Sequence, residues 1–194
     1  KLISEIEIFL NEEGLINNFI AKGTVRNLKV ELLNNMNFKE TNLSFFADKN
    51  DILIKNIFGF LEDIKISDGD IKLNLENGIK LNSNFDTKIN FDKQVTKKYT
   101  KFFKKYDAVK GLKTFKADLN NNFSIELDDT YKVKDYNYSV IGKLEKSKFE
   151  LLSSIKNNFV TEEISNIYLS DFKIKTVFKP KNIKVSGEGK YSFN

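Results

Sequence analysis

The chain holds 194 residues, 40% of them hydrophobic and 18 of them Phe, with a formal net charge of +5. This apolar content excludes a disordered chain, and no apolar run approaches the ~18 residues that a membrane-spanning helix needs. Cys and His are both absent, which excludes disulfide frameworks, thiolate chemistry, Ser-His-Asp and Cys-His sites, and the usual zinc shells.

A chain of this length supports one domain with a real core. It begins at Lys1 and opens without an apolar signal segment, so residues 1–194 are expected to form a single segment of a longer protein. The abundance of Lys, Asn, Ile and Phe beside a single Pro reads as genomic base bias and says little about function.

In chain order, alternation with period two dominates. Ile6, Ile8 and Leu10 alternate with Glu5, Glu7 and Phe9. Phe19, Ala21, Gly23 and Val25 hold odd phase, then Leu28, Val30 and Leu32 hold even phase. One extra residue at Arg26-Asn27, a β-bulge, would produce that slip. Leu43 and Phe45, Ile52 and Ile54, then Ile64 and Ile66 continue the series. A two-residue turn at Asp68-Gly69 would set Ile66 opposite Ile71 and Ile64 opposite Leu73, all on one face. A three-residue loop at Glu76-Asn77-Gly78 would oppose Leu75 to Ile79 and Leu73 to Leu81, with Gly78 left-handed.

The next stretch is the most regular. From Ile79 to Phe91 every odd position is Ile, Leu, Ser, Phe, Thr, Ile or Phe, and every even one is Lys, Asn or Asp. Such a strand runs roughly 43 Å at ~3.3 Å per residue, about twice the usual ~17–20 Å. Helical spacing then intervenes: Val95, Tyr99, Phe102, Phe103 and Tyr106 fall at i, i+4, i+7, i+8 and i+11. Lys97, Lys98, Lys101, Lys104 and Lys105 mostly fill the other face, and Gly111 is a plausible stop. From Lys93 to Lys110 there are seven Lys and one Asp, so the charge is one basic segment on a nearly neutral body.

Strand patterns resume with Phe115, Ala117, Leu119, Phe123, Ile125 and Leu127, then Tyr136, Tyr138, Val140 and Leu144. Lys148 to Ile155 fits a weak helix or a strand. Phe172, Ile174, Thr176 and Phe178 follow, joined through Lys179-Pro180-Lys181-Asn182 to an alternating run from Ile183 to Phe193. The registers predict a mainly β fold: an antiparallel meander of about ten strands with one short amphipathic helix crossing it.

Burying one large apolar side chain is worth ~1.5–3 kcal/mol, so about twenty on a single open face represent tens of kcal/mol. One helix cannot cover them. Either the sheet closes as a sandwich or barrel, or it is long and curved, a groove whose inner wall receives a hydrophobic ligand.

The run GTVRNLKVELLNNMNFKETNLSFFADKNDILIKNIFGFLEDIKISDGDIKLNL (Gly23 to Leu75) resembles the repeated strand pattern of the AsmA-like bacterial envelope proteins, above all a large member of that family. Lys97 to Leu127 resembles the short helix and following strand that interrupt the pattern, and Ile167 to Asn194 its closing hairpin, with I-x-V-x-G-x-G at Ile183 to Gly189. The resemblance covers most of the chain, as a pattern of spacing and turn residues. It implies a bridge-like lipid transfer protein of the Gram-negative periplasm, anchored in the inner membrane, whose β-groove moves phospholipid towards the outer membrane. Adjoining groove segments of the same chain would flank this one. The family supplies no catalytic motif.

The inward stripe Ile71, Leu73, Leu75, Ile79, Leu81, Phe85, Ile89, Phe91, Phe123, Ile125 and Leu127 is therefore expected to be groove wall contacting acyl chains, or else sandwich core. Ser83 and Thr87 share its face and would leave room for a chain. Lys97, Lys98, Lys101, Lys104 and Lys105 either solvate a surface helix or contact anionic headgroups at a membrane. The aromatics lie on core phases rather than on a basic stacking platform, so nucleic acid is not an expected partner. Asp68-Gly69-Asp70 and Asp128-Asp129 are the obvious carboxylate pairs; both read as turns, and the ligand spacing of a calcium loop is missing. No enzymatic role, metal or cofactor is expected. The runner-up is a closed β-sandwich, a structural or interaction module of an envelope protein.

Overall fold

The computed structural model describes residues 1–31, 36–76, 78–92, 111–156 and 163–193. They form one antiparallel sheet of ten strands that does not close, and no helix occurs among the described residues. The strands are β1 (Leu2–Leu10), β2 (Ile16–Glu31), β3 (Asn37–Ala47), β4 (Asp51–Leu61), β5 (Ile64–Asn74), β6 (Ile79–Phe91), β7 (Leu112–Leu127), β8 (Val133–Ile155), β9 (Ile164–Lys179) and β10 (Asn182–Phe193). Each pairs with the next in sequence, a simple meander. The described residues hold a single sheet. The crossing helix expected around Val95–Tyr106 lies outside the described residues. Lys148–Ile155 is strand, the end of a 23-residue β8.

Short turns with their own hydrogen bonds make the meander. Asn11 Oδ1 accepts from the backbone N–H groups of Glu13 (3.1 Å) and Leu15 (2.8 Å) between β1 and β2. Asp48 Oδ1 does the same for Asn50 (2.9 Å) and Asp51 (2.8 Å) between β3 and β4. Those two bonds hold the Asp48 carboxyl below its ordinary pKa. Gly78 takes φ +83, the left-handed conformation that the loop before β6 requires.

The turn expected at Asp68-Gly69 is not there. Both residues lie inside β5, and the chain reverses at Glu62-Asp63, where Leu61 pairs with Ile64 and Glu62 has φ 53. Asp68, at φ 52, makes a bulge instead, with Gly69 opposite Ile57. A left-handed Asp serves a bulge as well as a hairpin.

That bulge has companions. Asn27 in β2 (φ 51), Glu40 in β3 (φ 51) and Asn56 in β4 (φ 55) break the register in the same way, the first where the phase slip at Arg26-Asn27 places it. They are neighbours across the strands. The backbone N–H of Asn27 donates to Asn42 Oδ1 (3.1 Å), and that of Asn56 to Asp70 Oδ1 (3.2 Å). Each bulge restores the apolar phase to one face: Val25 opposes Leu43 and Leu28 opposes Thr41, while Ile54 opposes Ile71 and Gly59 opposes Ile66.

By contact density the chain divides into two compact units. The first comprises Lys1–Thr87, Asn120–Val140 and Thr176–Lys184; the second comprises Lys88–Leu119, Ile141–Lys175 and Val185–Asn194. Buried apolar residues are few in both: Ile57 and Ile66 in the first, and Phe91, Ala117, Leu144 and Ile164 in the second.

Candidate functional site, an apolar sheet face

In β6, Ile79, Leu81, Phe85 and Ile89 are half-buried and Phe91 is buried, whereas Lys80, Asn82, Asn84, Lys88 and Asn90 are exposed. The alternation therefore divides the strand into an apolar and a wet face, as its side-chain pattern requires. Ile71 and Leu73 join the apolar face, opposite Ile54 and Ile52 of β4. Leu75 lies just beyond the end of β5; it is 38% exposed, and its backbone N–H donates to Asn50 O (2.8 Å). Phe123, Ile125 and Leu127 are half-buried on β7. The lysines at 97, 98, 101, 104 and 105 lie outside the described residues.

Aromatic rings extend the apolar face within each unit. In the first, Phe123 meets Tyr138 edge-on at 6.2 Å, and Tyr138 stacks on Phe178 at 5.7 Å. In the second, Phe91 and Phe115 are 6.5 Å apart. Phe172 of β9 covers Gly187 and Gly189 of β10, where a Cβ would strike its ring at 2.2 and 2.8 Å. A missing side chain thus becomes the seat of an aromatic one.

Polar residues break this face at set points. Asn121 is 2% exposed and sits in the odd, apolar phase of β7. Its amide donates to Thr87 Oγ1 (3.0 Å) and to Phe85 O (3.2 Å), and its Oδ1 accepts from the Tyr138 hydroxyl (2.8 Å). Burial pushes the Tyr138 hydroxyl above its ordinary pKa. Thr41, Ser147 and Thr176 are also buried. The sequence reading found Thr87 but passed over Asn121. The signal was available: the middle residue of Asn120-Asn121-Asn122 holds the apolar phase between Leu119 and Phe123.

The opposite face is held by polar ladders. In the first unit, Asn84 donates to Asn122 (2.9 Å), Asn122 to Asn120 (2.9 Å), and Asn120 to Asp86 (2.8 Å). Asp70, Lys72, Asn82, Asn84, Asn122 and Asn137 are among the residues lining a shallow hollow of about 410 Å³ there. In the second unit, ion pairs step across the strands: Lys88 with Asp118 (3.6 Å), Lys116 with Glu145, and Lys143 with Asp171 (2.7 Å). The hydrogen bond from Lys116 holds the Glu145 carboxyl below its ordinary pKa, and Lys143 does the same for Asp171. Lys88–Asp118 and Lys143–Asp171 are exposed pairs and Lys116–Glu145 is half-exposed, and surface pairs contribute specificity of register more than stability. Asp128, by contrast with Asp68, lies at a turn, between β7 and β8, where its carboxylate accepts from the Thr130 hydroxyl (2.7 Å) and from the backbone of Lys132 (3.0 Å).

The chemistry on offer is adhesion of apolar matter to one face, with isolated hydrogen-bonding points in it. Comparison with family models, with curated proteins and with solved structures returns no match.

Proposed function

We propose that this chain is a lipid-conducting segment of a bridge-like protein of the AsmA-like kind, working in the periplasm of a Gram-negative bacterium within a parent anchored to the inner membrane. The apolar face lines a groove, and the acyl chains of phospholipid ride along it. One observation carries the reading: apolar side chains hold one phase of long strands, mostly half-buried, in a single sheet that does not close among the described residues. Apolar surface of that extent calls for an occupant.

The row of bulges at Asn27, Glu40, Asn56 and Asp68 supports the curvature such a groove needs, because each bulge bends its strand and sharpens the twist. Ser83 and Thr87 supply room between the bulkier residues of β6. The lysine-rich segment from Lys93 to Lys110 would attract anionic headgroups, each lysine near the surface adding about 1 kcal/mol that salt removes.

Native mass spectrometry of the gently purified chain, followed by lipid extraction, tests the reading. Co-purified phospholipid at near-stoichiometric level is the expected result. A lipid-free chain that also takes up none from vesicles would defeat the proposal.

A further inference from the structure

The hollow on the wet face lies within the first unit and away from the ends of the chain. Polar side chains reach it from β5 to β8 in two rows. The first row is bonded internally. Asp70 accepts from the backbone N–H of Asn56 (3.2 Å), Asn84 donates to Asn122 (2.9 Å), and Asn122 donates to Asn120 (2.9 Å). The second row, Lys72, Asn82, Ser124 and Asn137, makes no side-chain hydrogen bond or ion pair among the described residues.

Lys72 and Asn82 are exposed, so water serves them. Asn137 differs. It is half-buried, and its Oδ1 is buried with no hydrogen-bond partner among the described residues. A buried acceptor left unpaired is costly and uncommon. The terminal torsion of Asn is broad, so a small rotation turns this oxygen towards the hollow that the side chain already lines.

The surroundings select what would satisfy it. Asp70 and Lys72 oppose each other in charge, which favours neither an anion nor a cation. Strands β5 to β8 are interior to the sheet, each hydrogen-bonded on both sides, so no peptide strand can add there. An amide offers a donor beside an acceptor, and a Ser hydroxyl offers both at one atom. Leu53, paired with Lys72, adds an apolar spot. The volume of about 410 Å³ lies within the range of small-molecule sites. A neutral ring with hydroxyl groups around an aliphatic body matches this set.

We infer that the hollow binds a neutral saccharide, whose hydroxyls meet Asn82, Ser124 and Asn137, one of them donating to Asn137 Oδ1. The site is on the face opposite the proposed groove, and it stands or falls apart from the lipid reading.

Titration of the ¹⁵N-labelled chain with maltotriose, and separately with cellotriose, tests the inference by NMR. At least one sugar should shift the side-chain amide signals of Asn82 and Asn137, with a dissociation constant of ~1 mM as befits a shallow site. No shift with either sugar at about ten times that concentration overturns the inference. Inorganic phosphate that moves the same signals equally also overturns it, because the hollow would then be an anion site around Lys72. Asn137→Leu and Asn82→Ala should each weaken binding about tenfold. Asn137→Leu should do so without lowering the melting temperature, since it removes an unpaired oxygen rather than a bond. Should that variant fail to fold, the exposed Asn82→Ala decides alone. Unchanged affinity in the variants would place the sugar elsewhere and sink the idea.

Discussion

Asn121 holds the place of an apolar residue between Leu119 and Phe123 of β7, almost without exposure. An amide there is tolerated because Thr87, Phe85 O and Tyr138 satisfy it on both its ends. Asn121→Ala strands the Tyr138 hydroxyl and the Thr87 oxygen in an apolar setting. A buried polar group that loses its partner costs ~1–3 kcal/mol, so chemical denaturation should show a loss of about that size. Tyr138→Phe removes one donor and keeps the ring on Phe123 and Phe178; its cost should be about 1 kcal/mol. Because both act on one bond, the double variant should lose less than the two losses added, and additive losses would mean the bond contributes nothing.

Strands read cleanly where alternation was long and unbroken, as in β6, and at Asn27, where the change of phase marks the bulge. Asp68-Gly69 misled because phase alone cannot separate a two-residue hairpin from a bulge. Both bring Ile66 and Ile71, five residues apart, onto the same face, whereas an unbroken strand would put them on opposite faces. The reversal at Glu62-Asp63 carries no Gly or Pro, and Glu is an uncommon left-handed residue. Glu40 is in the same position, at φ 51 within β3. Glu40→Gly should relieve backbone strain and raise stability by about 1 kcal/mol, whereas Glu40→Val should lower it; equal effects would show that Glu40 is held without strain. Turn chemistry also sets a pH response. The Thr130 hydroxyl, with the Lys132 and Thr130 N–H groups, holds the Asp128 carboxyl below its ordinary value of 3.8. A depressed folded pKa means stability that is present above 3.8 and fades as pH falls through the lower folded value. Asp128→Asn should lower stability at neutral pH and flatten the decline between pH 5 and 2, read from thermal midpoints across that range.

The described residues form a single sheet that does not close, with six buried apolar residues. On the proposed reading an amphiphile covers the apolar face, and a ligand that binds only the folded chain stabilises it by mass action. At a free concentration of about 100 times its dissociation constant the gain is ~2.7 kcal/mol. For a chain of this length each kcal/mol raises the melting temperature by about 2–4 °C, so a single-chain phospholipid below its micellar concentration should raise it by about 5–10 °C. Leu81→Asp and Phe85→Asp sharpen the test. Both positions are only half-buried, so a carboxylate there keeps contact with water and should leave the lipid-free melting temperature within a few degrees. It would, however, stand in the path of an acyl chain, and the lipid-induced rise should largely vanish. Unfolding of both variants would mean that the face is packed core. An undiminished rise would mean that the amphiphile sits elsewhere on the chain, and β6 would no longer be groove wall.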